Sequence, residues 1–195
     1  MEELETGRLI DCLALDMGLR TLARVPDLKL SINMSARSIG YGKWLDILGK
    51  ALRNDSSLGK RLILEITETS AMLVPELVAT FMADLSKRGI SFALDDFGAG
   101  ATSFRHLRDF RFDILKIDGE FVRGIESNPD NQVLIQALIS IAEHFGMHAV
   151  AESVETPVAA EWLRETGVDC MQGHYFARPT VNPPWQQAAV QKTKV

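Results

Sequence analysis

Two hydrophobic periodicities alternate along the 195-residue chain. Short apolar runs recur at "LKLSINMS" (28–35), "RLILEITET" (61–69), "ISFALDDFG" (90–98), "ILKIDGEF" (114–121), "HAVAESVET" (148–156) and "VDCMQGHYF" (168–176). Their length and their valine, isoleucine and aromatic content suit β-strands. Between them the period lengthens to that of a helix. In "PELVATFMADLSKRG", Leu77, Val78, Phe81, Met82 and Leu85 share one face, with Pro75 near the start and Gly89 at the end. "NQVLIQALISIAEHFG" repeats the design with Val133, Leu134, Ala137, Leu138, Ile141 and Phe145, stopped by Gly146, and "PVAAEWLRETG" closes on Gly167. A further helix is expected around residues 7–24. Glycine thus ends a helix immediately before a strand in three places, which is the chemistry of a helix-to-strand loop.

Alternating strands and helices predict parallel strands joined by right-handed crossovers. An open doubly wound sheet and a (βα)8 barrel both satisfy that pattern. No glycine-rich phosphate fingerprint follows the first strand, which weakens the dinucleotide-binding option. A complete barrel needs eight strands and about 250 residues. Six strands in this length leave it short by about two βα units. Residues 1–180 are expected to form one α/β domain, with 181–195 as a C-terminal extension.

The net charge of -5 argues against a general nucleic-acid binder, which carries a basic face. No stretch is long and apolar enough to cross a bilayer, and "MEELETGRLI" lacks the layout of a signal peptide, so a cytoplasmic location is expected. Cys12 and Cys170 are read as reduced packing residues. The chemistry lies elsewhere. Asn33, Glu65 with Glu68, Asp95 with Asp96, Lys116 with Asp118, Glu152 with Glu155, and Gln172 all fall near the C-terminal ends of the strands. In a βα barrel those ends converge on one mouth. Carboxylates and an amide, without clustered histidine or cysteine, indicate Mg²⁺ or Mn²⁺. Neighbouring aspartates repel unless positive charge sits beside them. Singly, each residue has a plainer role: Asp96 as a cap for the "FGAGATSF" turn, Lys116 as an ion-pair partner, and Asn33 bonding a strand end. Glu68 and Glu155 suit support or surface roles, and His106, His144, His148 and His174 suit surface or packing. Their joint placement points to a site.

The stretches "SINMS", "LEITET", "FALDDFGAG", "FDILKIDGEFV", "AESVET" and "QGHYFARP", in this order and spacing, resemble the EAL domain family of cyclic di-GMP phosphodiesterases over about residues 1–180. The resemblance implies a TIM-type barrel and two-metal hydrolysis of cyclic di-GMP to linear pGpG. It also implies roles residue by residue. Asn33, Glu65, Asp95 and Asp96 match the family's metal ligands. Lys116 matches the lysine that helps hold the attacking water. Glu152 is a ligand or proton-handling group, and Gln172 lies near the water. Glu68 and Glu155 match glutamates that brace the loop after the aspartate pair, a loop tied to metal binding and dimerisation.

Three departures accompany the match. The loop reads "DFGAGATS" where the commoner form is DFGTGYSS, and Ser153 stands where the family usually has glycine. The Glu-Ala-Leu tripeptide is absent, since "MEELETGRLI" resembles the start of the family's first long helix. The expectation is therefore a partial EAL domain, lacking its motif strand, with weak or no hydrolysis. Apolar inner faces of "RLILEIT" and "ISFALDD" are expected to be exposed, favouring a homodimer or other self-association. Upstream regulatory domains are expected in a parent protein. The alternative is a degenerate EAL domain that binds cyclic di-GMP or docks a protein. A third option, an unrelated metal-dependent barrel enzyme, does not account for six ordered motif matches.

Overall fold

The computed structural model describes residues 2–98 (side chains from residue 5), 107–108 and 110–185. Every strand-like run forms a strand: β1 (Leu30–Asn33), β2 (Leu62–Thr67), β3 (Ser91–Phe97), β4 (Ile114–Ile117), β5 (His148–Ala151) and β6 (Cys170–Met171). All neighbouring pairs are parallel, in the order β1-β2-β3-β4-β5-β6. The sheet curls as a half-barrel, the incomplete α/β barrel expected from the strand count. Among the described residues β1 and β6 each pair on one side only, so the sheet is open.

The α-helices bounded among the described residues are α1 (Glu2–Arg24), α2 (Gly42–Asn54), α3 (Glu68–Leu73), α4 (Pro75–Ser86), α5 (Gly119–Val122), α6 (Pro129–Phe145) and α7 (Pro157–Thr166). Proline opens α4, α6 and α7, where its missing N–H costs nothing. The side chains of Asn128 and Thr156 cap α6 and α7 by accepting from the N–H groups of Asn131 and Ala159. Gly146 and Gly167 close the same helices at φ 70° and 95°, a left-handed turn that favours glycine.

Strand side chains alternate between two layers. Leu62, Leu64 and Ile66 of β2 and Phe92 and Leu94 of β3 point outward and are wholly buried beneath the helices. Trp44 of α2 meets Phe81 of α4 at a ring separation of 5.7 Å, and Phe81 meets Phe92 at 6.2 Å. The inner layer is thinner, with Ile63, Ile114 and Val150 half-buried. The apolar side chains of "RLILEIT" and "ISFALDD" are therefore mostly covered, contrary to the expectation of a bare face. Helix packing covers the outer positions, and the inner ones are small or charged.

Three further expectations need correction. Helix α6 buries Ile135, Leu138, Ile139 and Ala142, whereas Val133, Leu134, Ala137 and Phe145 are exposed. The helix is rotated by about one residue position, because two overlapping apolar stripes run along it. In α4, Leu77 is exposed while Val78, Phe81, Met82 and Leu85 are buried. Cys12 is buried, but Cys170 is an exposed residue on edge strand β6 rather than a core packing residue.

Strand entry uses a repeated device. Asp113, just before β4, accepts the N–H of Phe92 on β3 at 2.8 Å. Asp169, just before β6, accepts the N–H of Ala149 on β5 at the same distance. Each carboxylate satisfies a strand N–H and fixes where the next strand begins. Asp113→Ala should lower unfolding free energy by about 1–3 kcal/mol in urea titrations, with Asp113→Asn recovering part through its amide oxygen.

Candidate metal centre

Lys116 on β4 lies at the focus of the inner layer. Its Nζ donates to Glu65 Oε2 at 2.9 Å and to Asp95 Oδ1 at 2.6 Å, and it meets Glu152 Oε1 at 2.7 Å. The three carboxylates come from β2, β3 and the residue after β5. Lys116, Glu65 and Asp95 are all buried. Burial alone would lower the pKa of the ammonium. The bonds to Asp95, Glu152 and Glu65 outweigh it and hold the group charged, above the usual lysine range.

The adjacent aspartates reach one side of the sheet through a break in strand register. Leu94 pairs with Leu115 and Phe97 with Ile117, so Asp95 and Asp96 together oppose the single residue Lys116. That is a β-bulge. Strict alternation would send Asp96 to the helix side. Instead its backbone turns to φ 56°, and carboxylate oxygens of Asp95, Asp96 and Glu152 all lie within 4.8 Å of one another. Asp96 is exposed, yet its pKa is raised, first by partial desolvation and then by the charges of Asp95 and Asp118. Desolvation also raises Glu152, against the opposing pull of Lys116. One ammonium faces more carboxylate charge than it neutralises, and the free donors are all oxygen. This set fits a hard divalent cation.

The other residues read from the sequence surround this focus. Asn33 ends β1 in register with Glu65 and is exposed. Gln172 directly follows β6 and lines a cleft of about 600 Å³ beside Glu152. Glu155 lines the same cleft and is exposed. Glu68 is buried, and its Oε2 accepts the N–H of Gly98 at 3.2 Å, immediately after β3. Asp118 caps α5 by accepting the N–H of Glu120 at 2.6 Å. The "GATSF" turn that Asp96 was expected to cap, with the changed loop motif, lies outside the described residues.

Sequence reasoning missed two cations. Arg123 and Arg178 line the cleft, as does His174, which is exposed as expected of a surface residue. Arg178 lies within the quoted "QGHYFARP".

The chain belongs to the EAL domain family, whose profile matches residues 1–179. It is 32% identical over 152 residues to the cyclic di-GMP phosphodiesterase NbdA of Pseudomonas aeruginosa, covering 78% of this chain and 19% of that protein. It is 39% identical over 119 residues to the probable cyclic di-GMP phosphodiesterase PdeN of Escherichia coli, covering 61% of this chain and 23% of that protein. The chain therefore spans roughly a fifth of the length of these curated relatives. Among solved structures, the EAL domain of Mycobacterium smegmatis DcpA aligns with a TM-score of 0.80 at 29% identity, covering 96% of this chain and 84% of that one. Klebsiella pneumoniae BlrP1, in its manganese and cyclic di-GMP complex, aligns with a TM-score of 0.79 at 27% identity, covering 88% of this chain and 45% of that one.

The raised acids carry a pH dependence of definite sign. The folded chain binds the Asp96 and Glu152 protons more tightly than the unfolded chain does. Their contribution to metal-free stability is full below the ordinary carboxylate range and is lost as pH rises through the folded values. Asp96→Asn should flatten that decline and raise the melting temperature in EDTA at pH 7, while reducing the stabilisation given by Mn²⁺. Lys116→Met leaves buried carboxylates unpaired and should destabilise the metal-free chain by about 3–5 kcal/mol, read from urea denaturation.

Proposed function

We propose that this mouth binds divalent cations together with cyclic di-GMP and hydrolyses one phosphodiester, giving linear pGpG. The observation that carries the proposal is the convergence of Glu65, Asp95 and Glu152 on Lys116, with Asp96 beside them. Asn33, Glu65, Asp95 and Asp96 would hold the cations, and Mg²⁺ or Mn²⁺ suits their oxygen donors. Bound there, the cations would supply Lewis acidity to the phosphodiester and promote ionisation of a water. Arg123 and Arg178 provide the cationic wall that receives the phosphates. Lys116 fixes Asp95 and Glu65 by hydrogen bonds, so the ligand set is preorganised. Glu152 would take a proton from the attacking water and Gln172 would orient that water; the raised pKa of Glu152 and its position beside Gln172 at the cleft support these roles. Glu68 anchors the start of the loop after the aspartates through Gly98, with Glu155 on the facing rim.

A second reading, a module that binds cyclic di-GMP without turnover, is favoured by the edge of β1, which has no partner among the described residues and where Asn33 stands exposed. Hydrolysis by this chain alone should accordingly be slow. With Mn²⁺, chromatography should show slow conversion of cyclic di-GMP to pGpG, reduced at least about 100-fold in Asp95→Asn. Binding by calorimetry without turnover would select the second reading. Neither binding nor turnover would overturn both.

Self-association and fusion to regulatory domains belong to the same proposal. Ile10, Leu13 and Met17 form an exposed apolar stripe on α1, beside the open edge of the sheet. Sedimentation velocity should show a dimer of the 195-residue chain, returned to monomer by Leu13→Glu.

A further inference from the structure

Among the described residues, two that are not glycine have positive φ: Asp96 at 56° and Ser153 at 54°. Each directly follows a carboxylate that pairs with Lys116. At Asp96 the left-handed turn delivers a second acid to the mouth. At Ser153 the same turn delivers a hydroxyl to the wall of the cleft, next to Glu152.

A side chain in this region of backbone space is disfavoured and persists only where its surroundings over-determine it. Those surroundings are specific to Ser153. A Cβ built at Gly119 would collide with the Oγ and Cβ of Ser153, so the serine fits only because residue 119 has no side chain. The same point lies 3.6 Å from Nη2 of Arg123, which sets the hydroxyl and a guanidinium around one small space. On the far side, Val154 donates its N–H to the Gln172 carbonyl at 3.0 Å, and its own carbonyl accepts from Tyr175 at 3.0 Å. Gly173 packs so closely on the Val154 backbone that a Cβ there would also collide. The segment carrying Ser153 is thus clamped from both directions. Its hydroxyl makes no hydrogen bond to another described residue.

We propose that Ser153 is a ligand-binding residue whose hydroxyl donates a hydrogen bond to a phosphate oxygen of a nucleotide held between Arg123 and Arg178, with Gly119 as the gap that admits it. This rests on the function proposed above. The hydroxyl belongs to a residue of the cleft wall beside Arg123, and a phosphate oxygen in the cleft can accept from a hydroxyl and a guanidinium at once.

Calorimetric titration of cyclic di-GMP in Ca²⁺, with chromatography of the same sample to verify that no pGpG forms, tests the contact. Ser153→Ala keeps the backbone strain and removes only the hydroxyl. It should bind about tenfold more weakly, with an unchanged melting temperature. Ser153→Gly should lose the same affinity without any loss of melting temperature. Gly119→Ala should lower the melting temperature, and adding Ser153→Gly to it should restore stability but not affinity. Wild-type affinity in Ser153→Ala and Ser153→Gly would overturn this inference and leave the proposed function standing. An unmutated chain that binds no cyclic di-GMP would overturn the function, and this contact with it.

Discussion

One ammonium group ties the inner face of the sheet together. An –NH3⁺ has three donors, and Lys116 directs one at each of Glu65, Asp95 and Glu152. Burying such charges costs several kcal/mol per ion, and only complete pairing offsets it. The requirement reaches beyond the site. Side chains in a strand alternate in direction, so a slip of one residue in β2, β3 or β4 would turn Glu65, Asp95 or Lys116 toward the helices. There each would meet apolar surroundings with no partner. The same four residues that form the mouth therefore enforce the register of the central strands.

That arrangement is stable yet electrically incomplete. All three donors of Lys116 are used, and Asp96 remains beside them with its carboxyl raised in pKa. The bulge in β3 creates this excess, because it turns what would have been a helix-facing residue into a fourth acid at the mouth. A sheet selected for stability alone would have no use for a carboxylate there. In the function proposed above, a cation from solution would offset the excess negative charge at this rim, and the arginines of the neighbouring cleft would face the anionic substrate.

Much of this was legible in the chain before folding. Strand positions followed from apolar composition, and the polar residues at strand ends announced a common mouth because parallel topology leaves them nowhere else to go. The family resemblance rested on motifs at those same ends. What escaped has physical causes. Helix α2 has a regular apolar stripe, but it starts behind Tyr41 without the proline or capping side chain that marks the start of α6 and α7. Helix α6 has apolar residues on more than one face, and periodicity cannot say which one the sheet will cover. Asp113 and Asp169 look like surface acids until the neighbouring strand is in place to supply an N–H. Arg123 and Arg178 lie 55 positions apart, and only the packing together of the segments that follow β4 and β6 brings them to one cleft. The bulge at Asp95 and Asp96 could have been suspected from the doubled acid, since a plain strand cannot present both to one side.

The two layers of the sheet divide stability from chemistry. Outward residues such as Leu64, Ile66, Phe92 and Leu94 are fully buried against helices and form the contiguous core. Inward residues include Glu65, Asp95 and Lys116 with a thin filling of Ile63, Ala93, Ile114 and Val150. A closed barrel normally packs its interior with side chains in layers. Here the outer layer supplies the apolar burial, so an open sheet need not lose its principal core. The inner layer depends instead on hydrogen-bonded charge, which is local to four adjacent strands and does not require closure around the whole ring. An incomplete barrel can for this reason retain a well-formed acid cluster, while the exposed position of Asn33 at the open edge marks where the constraint ends.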